Sequence, residues 1–449
     1  VQIGADRQLF VDDFWIDTSA GVTRKLHEPV NRGAAISPEN PWETYGVSYM
    51  VTFRDGDRFR GWYRCDGEMP GKGKRKPLIA YAESGDGIHW EKPELGLIDY
   101  KGSKQNNLVW IGPGTNMAPF LDDGSGVPEN ERYKAIVRDK VGLHALLSAD
   151  GLDWRLMQED PIHTEGLFDS HNIAFRDPWR GEYVIYSRGV DGVGDFEGGV
   201  RWIRRSTSED FRNWTPLVSI DAGEVPNEHL YTNACVPYER APGTYLMFPS
   251  RLVVDRQPSP DWPRAGVNDI VFMSSRDGMH FDRSFKEAFR RPGPDESNWH
   301  DRAIYMERGI LQTSPTEISM YGMENWWMPT VRISRFTLRT DGFVSVKAGY
   351  GGGEFTTRPL VFEGDELELN YATSAVGSLR VEVQTADGTP VPGLTLDECP
   401  ETYGDEIEGT ISWGESNGLS SLAGQPVRLR FALMDADLYA FRFRHRSKT

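Results

Sequence analysis

Five short segments of this chain are variations on one theme. SGDGIHW (84–90), SADGLDW (148–154), STSEDFRNW (206–214), SSRDGMHF (274–281) and LRTDGF (338–343) each finish an alternating run with an acidic turn and an aromatic. The closing aromatics are Trp90, Trp154, Trp214, Phe281 and Phe343, at intervals of 60 to 67 residues. A period of that size holds one four-stranded sheet with its loops. The order inside each period also recurs: a strand, a turn, a second strand rich in Tyr or Trp, a loop, then the strand that carries the acidic turn. The first period reads VSYMVTF, RFRGWYR and LIAYAES, the third HNIAFRD, YVIYSRG and VRWIRRSTS, and the fourth TNACVPY, TYLMFPS and DIVFMSS. Alternation of apolar and polar positions predicts strands whose sheets pack face to face. Five copies predict a five-bladed β-propeller over residues 1–350. The strand-like run QLFVDDFWID, ahead of the first repeat, is expected to supply the outer strand that closes the ring and protects its edge.

From about Gly351 the pattern changes to longer runs, LELNYAT, LRVEVQT, VRLRFAL and LYAFRFR, separated by turns such as TADGTP and SLAGQP. These predict a separate β-sandwich over residues 351–449. The expected fold class is therefore all-β, and 47 Gly and 28 Pro with 12% aromatics suit many short strands and tight turns while excluding a helical bundle. Fifty Lys and Arg against 67 Asp and Glu leave a net charge of −17, so a surface that tracks phosphates is hard to build and nucleic acid is excluded as a partner. No apolar run approaches the roughly 20 residues that span a bilayer, so no membrane association is expected. Cys65, Cys235 and Cys399 lie far apart without metal-binding spacing, which supports neither a disulfide framework nor a zinc site. The opening VQIGADRQLF lacks a charged and an apolar segment. It reads as a periplasmic or secreted protein whose signal has been removed, or as a cytoplasmic one.

In a propeller the innermost strand of every blade lines one central channel, so polar residues at the starts of those strands meet at one mouth. The starts read WETYG (Glu43, Tyr45), TNMAPF (Asn116), FDSHNIAF (Asp169, His171, Asn172), EHLYTNA (Glu228, His229, Tyr231) and NWHDRAIY (His300, Asp301, Arg302). Four of the five carry a carboxylate. Cleaving a glycosidic bond needs one protonated carboxyl at the leaving oxygen and a second, ionised one for water or direct attack. Asp169 and Glu228 stand out because each shares a polar cluster with His and Asn ahead of apolar alternation. Asp301, between His300 and Arg302, has a neighbouring cation to hold it ionised and suits a base or stabiliser. An acid beside a turn also commonly caps a strand end or bridges to Arg. Trp90, Trp154 and Trp214 recur at one blade position and read as packing, whereas Trp299 breaks that register and is the candidate for stacking on a sugar.

The stretches YAESGDGIHWEKPELGL, EHLYTNACVPY, QTSPTEISMY and DADLYAFRF, together with the five repeats and the tail, resemble the five-bladed propeller glycosidases related to glycoside hydrolase families 32 and 43. The likeness is greatest to bacterial proteins described as family 32 N-terminal-like. It implies a glycosidase that acts on an oligosaccharide or polysaccharide without metal or cofactor, and it carries no signal of oligomeric state. The related families place a catalytic base in the first blade, where this chain has Glu43 in place of their Asp. The stretch Arg176, Asp177 and Pro178 matches a family 32 motif superficially but follows a strand and reads as a turn. Glu398 and Cys399 resemble the Glu-Cys acid motif yet fall in the tail.

These considerations assign Glu228 as general acid, Asp169 as the carboxylate that tunes or orients it, and Asp301 or Glu43 as base. His300, Arg302, Arg251, His171, His229, Asn172, Tyr231 and Trp299 are expected to bind the sugar. An exo-acting hydrolase is the leading expectation, with inversion favoured by analogy to family 43. Two alternatives use the same pocket. A polysaccharide lyase would employ His171 or His229 with Tyr231, Arg neutralising a uronate, and a noncatalytic propeller would only hold a glycan.

Overall fold

The computed structural model describes residues 1–449 apart from 69–74, 192–198, 227, 259, 415–417 and 447–449. The chain is all-β, with a few single-turn 3₁₀ segments such as Pro41–Glu43 and Glu296–Asn298. Among the described residues no helix is long and apolar enough to cross a membrane.

Most strands belong to small antiparallel sheets that follow the repeat. One sheet joins Thr115–Leu121, Tyr133–Arg138, Leu143–Ser148 and Arg155–Leu156, and the next joins Ile173–Arg176, Tyr183–Asp191, Val200–Ser208 and Val218–Ser219. A third region divides into a four-stranded sheet starting at Val236–Pro237 and a three-stranded one starting at His229–Leu230. The remaining two sets of four meet in one eight-stranded sheet. In it Val30–Ile36, Arg332–Arg339, Glu317–Glu324 and Tyr305–Gln312 connect to Val47–Asp55, Arg58–Glu68, Arg75–Ser84 and Leu108–Trp110. The junction is a single parallel pairing of Arg308 with Val51.

Four of the five acidic turns share one bonding pattern. The hydroxyls of Ser84, Ser148, Ser208 and Ser275 donate to Oδ1 of Asp86, Asp150, Asp210 and Asp277 at 3.0–3.1 Å. Each Oδ1 also accepts the backbone N–H groups two and three residues further on. The Asn213 N–H is the largest influence on Asp210, whose carboxyl is lowered to about 2. Three of these turns also tie neighbouring repeats together, because the carbonyl of the turn residue after Asp accepts a bond from an aromatic of another repeat. Trp62 Nε1 donates to Gly151 O at 2.7 Å, Tyr186 OH to Gly278 O, and Tyr321 OH to Gly87 O. The last of these ties the strand Glu317–Glu324 back to the first repeat.

The tail forms a ten-stranded sheet around two long strands, Glu366–Thr385 and Pro426–Arg444, paired along most of their length. Each accounts for two runs that the sequence separates: the pairing register shifts between Thr373 and Ser378, so the strand bends without ending. The run QLFVDDFWID does not join the sheets of the repeats. Leu9 pairs with Ala440 and Ile16–Ala20 pairs with Gly353–Thr357, while Phe10 and Trp15 are fully buried in the core of this sheet. Their large apolar rings find a closed core there, and the outer strand beside Arg332–Arg339 is instead the mostly exposed Val30–Ile36. By strand pairing, the late sheet takes in residues 2–26 and Val344–Ala348 as well as the tail, so the division of sheets does not fall at residue 350.

Candidate active site

Three tyrosines stack at the place where the starts of several strands converge. The ring of Tyr305 lies 5.9 Å from that of Tyr49 and 5.8 Å from that of Tyr231, centroid to centroid, with interplanar angles of 21° and 13°. Met323, Trp326 and Val331 complete the buried cluster. Tyr49 sits at a register shift in Val47–Asp55 with φ at 52°, a conformation that costs an L-residue about 1–2 kcal/mol. Glu307 holds that bulge by accepting the Tyr49 N–H on Oε1 at 2.9 Å.

Four arginines surround the stack. Arg64 reaches towards Tyr49 and Trp326, bonded to Asp66 at 2.9 Å and to Asn116 Oδ1 at 3.0 Å. The guanidinium carbons of Arg188, Arg201 and Arg302 lie 5.4, 5.9 and 5.9 Å from the centre of the Tyr231 ring. Arg188 pairs with Asp169 Oδ1 at 2.9 Å. Arg302 clasps both oxygens of Asp301, at 2.7 Å through Nη2 and 3.1 Å through Nε. Gly266, with φ at 139°, leaves room for this clasp, since a Cβ there would stand 3.0 Å from Asp301 Oδ1. Burial opposes the charge on Arg302 but its bonds to Asp301 prevail, so its pKa is raised. Burial lowers Arg201, and the like charges of Arg188 and Arg302 lower it further.

The structure therefore brings together Asp169, Asp301, Arg302 and Tyr231 from the residues expected by sequence. His229 adjoins them, its Nδ1 accepting the Arg201 N–H at 3.0 Å, and burial with Arg201 lowers its pKa. His171 is buried with its ring 5.0 Å from that of Tyr49 and its Nδ1 4.0 Å from Glu307 Oε2. Burial lowers His171 to about 3 and raises Glu307 to about 8, so near neutral pH the two face each other as neutral imidazole and protonated carboxyl.

Other expected residues have different surroundings. Glu228 Oε2 is held by Arg283 at 2.8 Å and Arg251 at 3.5 Å, and Arg251 is itself paired with Asp269. Glu43 is fully buried: its carboxylate accepts bonds from Tyr63 OH, Lys92 Nζ and the backbone N–H groups of Glu39 and Asn40, which leaves it no face towards a substrate. Asn172 spends its amide on the carbonyls of Phe168 and Ser170 and shapes the loop that carries Asp169. His300 is buried against Trp262 at a ring distance of 4.0 Å. Trp299 remains 39% exposed, with Nε1 on Gly293 O. Asp177 accepts the N–H groups of Trp179 and Arg180, the bonding of a turn.

Sequence reasoning overlooked Tyr49, Tyr305, Arg64, Arg188, Arg201 and Glu307. A usable signal existed for Arg188, which follows the unbroken apolar and aromatic run YVIY in a strand of the third period. An arginine in such a run is buried only where something compensates it.

No family model matches this chain. Among curated proteins, the uncharacterized protein Rv1502 of Mycobacterium tuberculosis (strain ATCC 25618 / H37Rv) is 29% identical over 119 residues, which cover 26% of this chain and 36% of that protein. The chain thus spans little more than a third of the relative it matches. Among solved structures, one described as a glycoside hydrolase is 14% identical, with a TM-score of 0.49 over 70% of this chain and 92% of that one. A fructofuranosidase from Schwanniomyces occidentalis, complexed with fructosylnystose, is 12% identical with a TM-score of 0.43 over 92% and 97% of the two chains. Glycoside hydrolases thus stand among the solved structures to which the chain is similar, the group that the sequence resembles.

Proposed function

We propose that this chain is a glycoside hydrolase whose paired carboxylates are Asp169 and Asp301. The observation that carries the reading is their shared setting: each is bonded to an arginine that lies over the same Tyr231 ring. The framework is read as a five-bladed propeller, with the divided third region as the fourth blade and the Tyr321 bond to Gly87 closing the ring. The ten-stranded sheet, folded over its own apolar core, is read as the sandwich.

Hydrolysis breaks the bond between the anomeric carbon and the bridging oxygen. That oxygen takes a proton, and a water adds to the carbon while losing one. Asp301, clasped on both oxygens, fits the ionised partner that receives the proton from water. Asp169, half exposed and met by Arg188 through Oδ1 alone, is assigned to the leaving group on its accessibility. Glu228 is not assigned that part, because two arginines already occupy its Oε2. Each carboxylate has its own arginine, Arg188 or Arg302, and inversion, which sets its carboxylates about 6.5 to 9.5 Å apart, is the proposed stereochemistry. Exo action, the removal of one terminal sugar at a time, is kept as part of the proposal.

Asp169→Asn and Asp301→Asn should each lower turnover of a natural oligosaccharide by about 100-fold or more, with Asp169→Asn partly spared on activated aryl glycosides. Near-normal turnover by both variants would sink the reading. Proton NMR of the first-formed sugar anomer tests inversion. A lyase is the second reading, favoured by the convergence of arginines on one tyrosine; it would give an unsaturated, ultraviolet-absorbing product and take up no solvent oxygen.

A further inference from the structure

We infer that a second cavity, beside the later half of the strand Tyr305–Gln312, binds a small organic acid at Arg308: a monocarboxylate with an apolar body. The cavity holds about 200 Å³ and is bounded by residues 52–54 and 59, 236–240, 308–312 and 318. Phe53, Phe59, Val236, Ile310 and Leu311 give it largely apolar walls. It shares no lining residue with the tyrosine stack, so the inference stands whether or not the chain cleaves a glycosidic bond.

A buried guanidinium is ordinarily held by a carboxylate, as Arg290 is by Glu324 at 3.0 Å. Arg308 is only 7% exposed, yet among the described residues no hydrogen bond or ion pair reaches its side chain, and its Nε is enclosed without a partner. Burial lowers its pKa to about 10 against the weaker pull of Cys235 and of Glu239, which is exposed at the cavity rim. Thr52, 2% exposed, lines the same cavity with its hydroxyl likewise enclosed and unbonded. The backbone is shaped around these two groups. Pairing shifts register between Met306 and Ile310, and Gly309 takes φ at 134°, where a Cβ would collide with Thr52 Oγ1. Arg240, on the same wall, is already held by Asp341 at 2.8 and 3.0 Å, and Arg54 is exposed. One uncompensated positive charge inside the cavity calls for a ligand with one negative charge. A planar guanidinium matches the two oxygens of a carboxylate, and the Thr52 hydroxyl is free to donate to one of them. The apolar walls then suit a hydrocarbon body rather than a bare inorganic ion. Arg54 and Gln312 also line an adjoining cleft of about 580 Å³, bounded by residues 314–316 and 405–408, through which such an acid has a way in.

Isothermal titration of the full chain tests this with matched pairs. Benzoate and hexanoate are each compared with benzamide and hexanamide, which keep the shape and lose the charge, and sodium chloride and inorganic phosphate form a further arm. At least one acid should bind about 10-fold or more tightly than its amide. Arg308→Met should abolish that preference, and Gln312→Trp, at the exposed rim, should weaken binding of the acid by obstructing the mouth. Equal binding of acid and amide in both pairs, binding confined to chloride or phosphate, or no binding across the panel would overturn the inference. So would an acid preference that survives in Arg308→Met. Where that variant does not fold, undiminished acid binding by Gln312→Trp overturns it instead.

Discussion

Glu307 and His171 meet at the base of the tyrosine stack, and their opposed titrations make a specific signature in stability. Glu307 ionises at an ordinary 4.5 when exposed and at about 8 when buried, so the folded chain holds more protons between those values and stability falls as pH rises through them. His171 moves from 6.5 to about 3, so the unfolded chain holds more protons in that interval and stability rises with pH there. The two slopes, each about 1.4 kcal/mol per pH unit, cancel from about 4.5 to 6.5. The pair therefore contributes a plateau that falls away on both sides. In thermal melts Glu307→Gln should remove the alkaline decline, remain close to wild type near pH 5 and exceed it at pH 8. An unchanged alkaline limb would show that Glu307 titrates normally. None of this was visible in the sequence: MERG sits in a strand, and only the fold places its Glu against His171, 136 positions earlier in the numbering.

At the level of the element, the acidic turns show how local chemistry becomes architecture. Ser, Asp and the residue after Asp interact within a few positions, which is why the turns could be read directly from the chain. Gly151 adopts φ at 76°, and a Cβ there would stand 3.0 Å from both Trp62 and Tyr133. Gly151→Ala should therefore cost more than the roughly 1 kcal/mol of the backbone alone and lower the melting temperature measurably. The third turn has Phe211 at the same place, with φ at 64° and the ring fully buried. Phe211→Gly would relieve about 1 kcal/mol of strain but forfeit a buried aromatic worth about 3–5 kcal/mol, so a net loss is expected in denaturant titration. A net gain would mean that the ring packs poorly. What the sequence concealed at this scale was partnership. The alternation in QLFVDDFWID announces a strand and says nothing of which sheet receives it, and SAVG (374–377) looks like a turn although the chain only bends there.

Across the whole molecule, the early strands and the tail form one sheet, joined by ion pairs as well as by pairing. Arg7 reaches Glu368 at 3.1 Å and Glu408 at 3.2 Å, the latter 401 residues away. Trp15→Ala should remove about 3–5 kcal/mol, because Trp15 fills the core of that sheet against Phe441. Calorimetry would find the loss in the melting of the late sheet, and a loss below 1 kcal/mol would show that the segment is a passive strap. The same feature governs the order of events in time. During synthesis the strands near residues 2 to 26 emerge long before their partners beyond residue 344 exist, and closure over such separations is slow. A nascent chain halted at residue 350 would consequently carry Phe10 and Trp15 bare, as clients for a chaperone, until the last strand arrived to cover them.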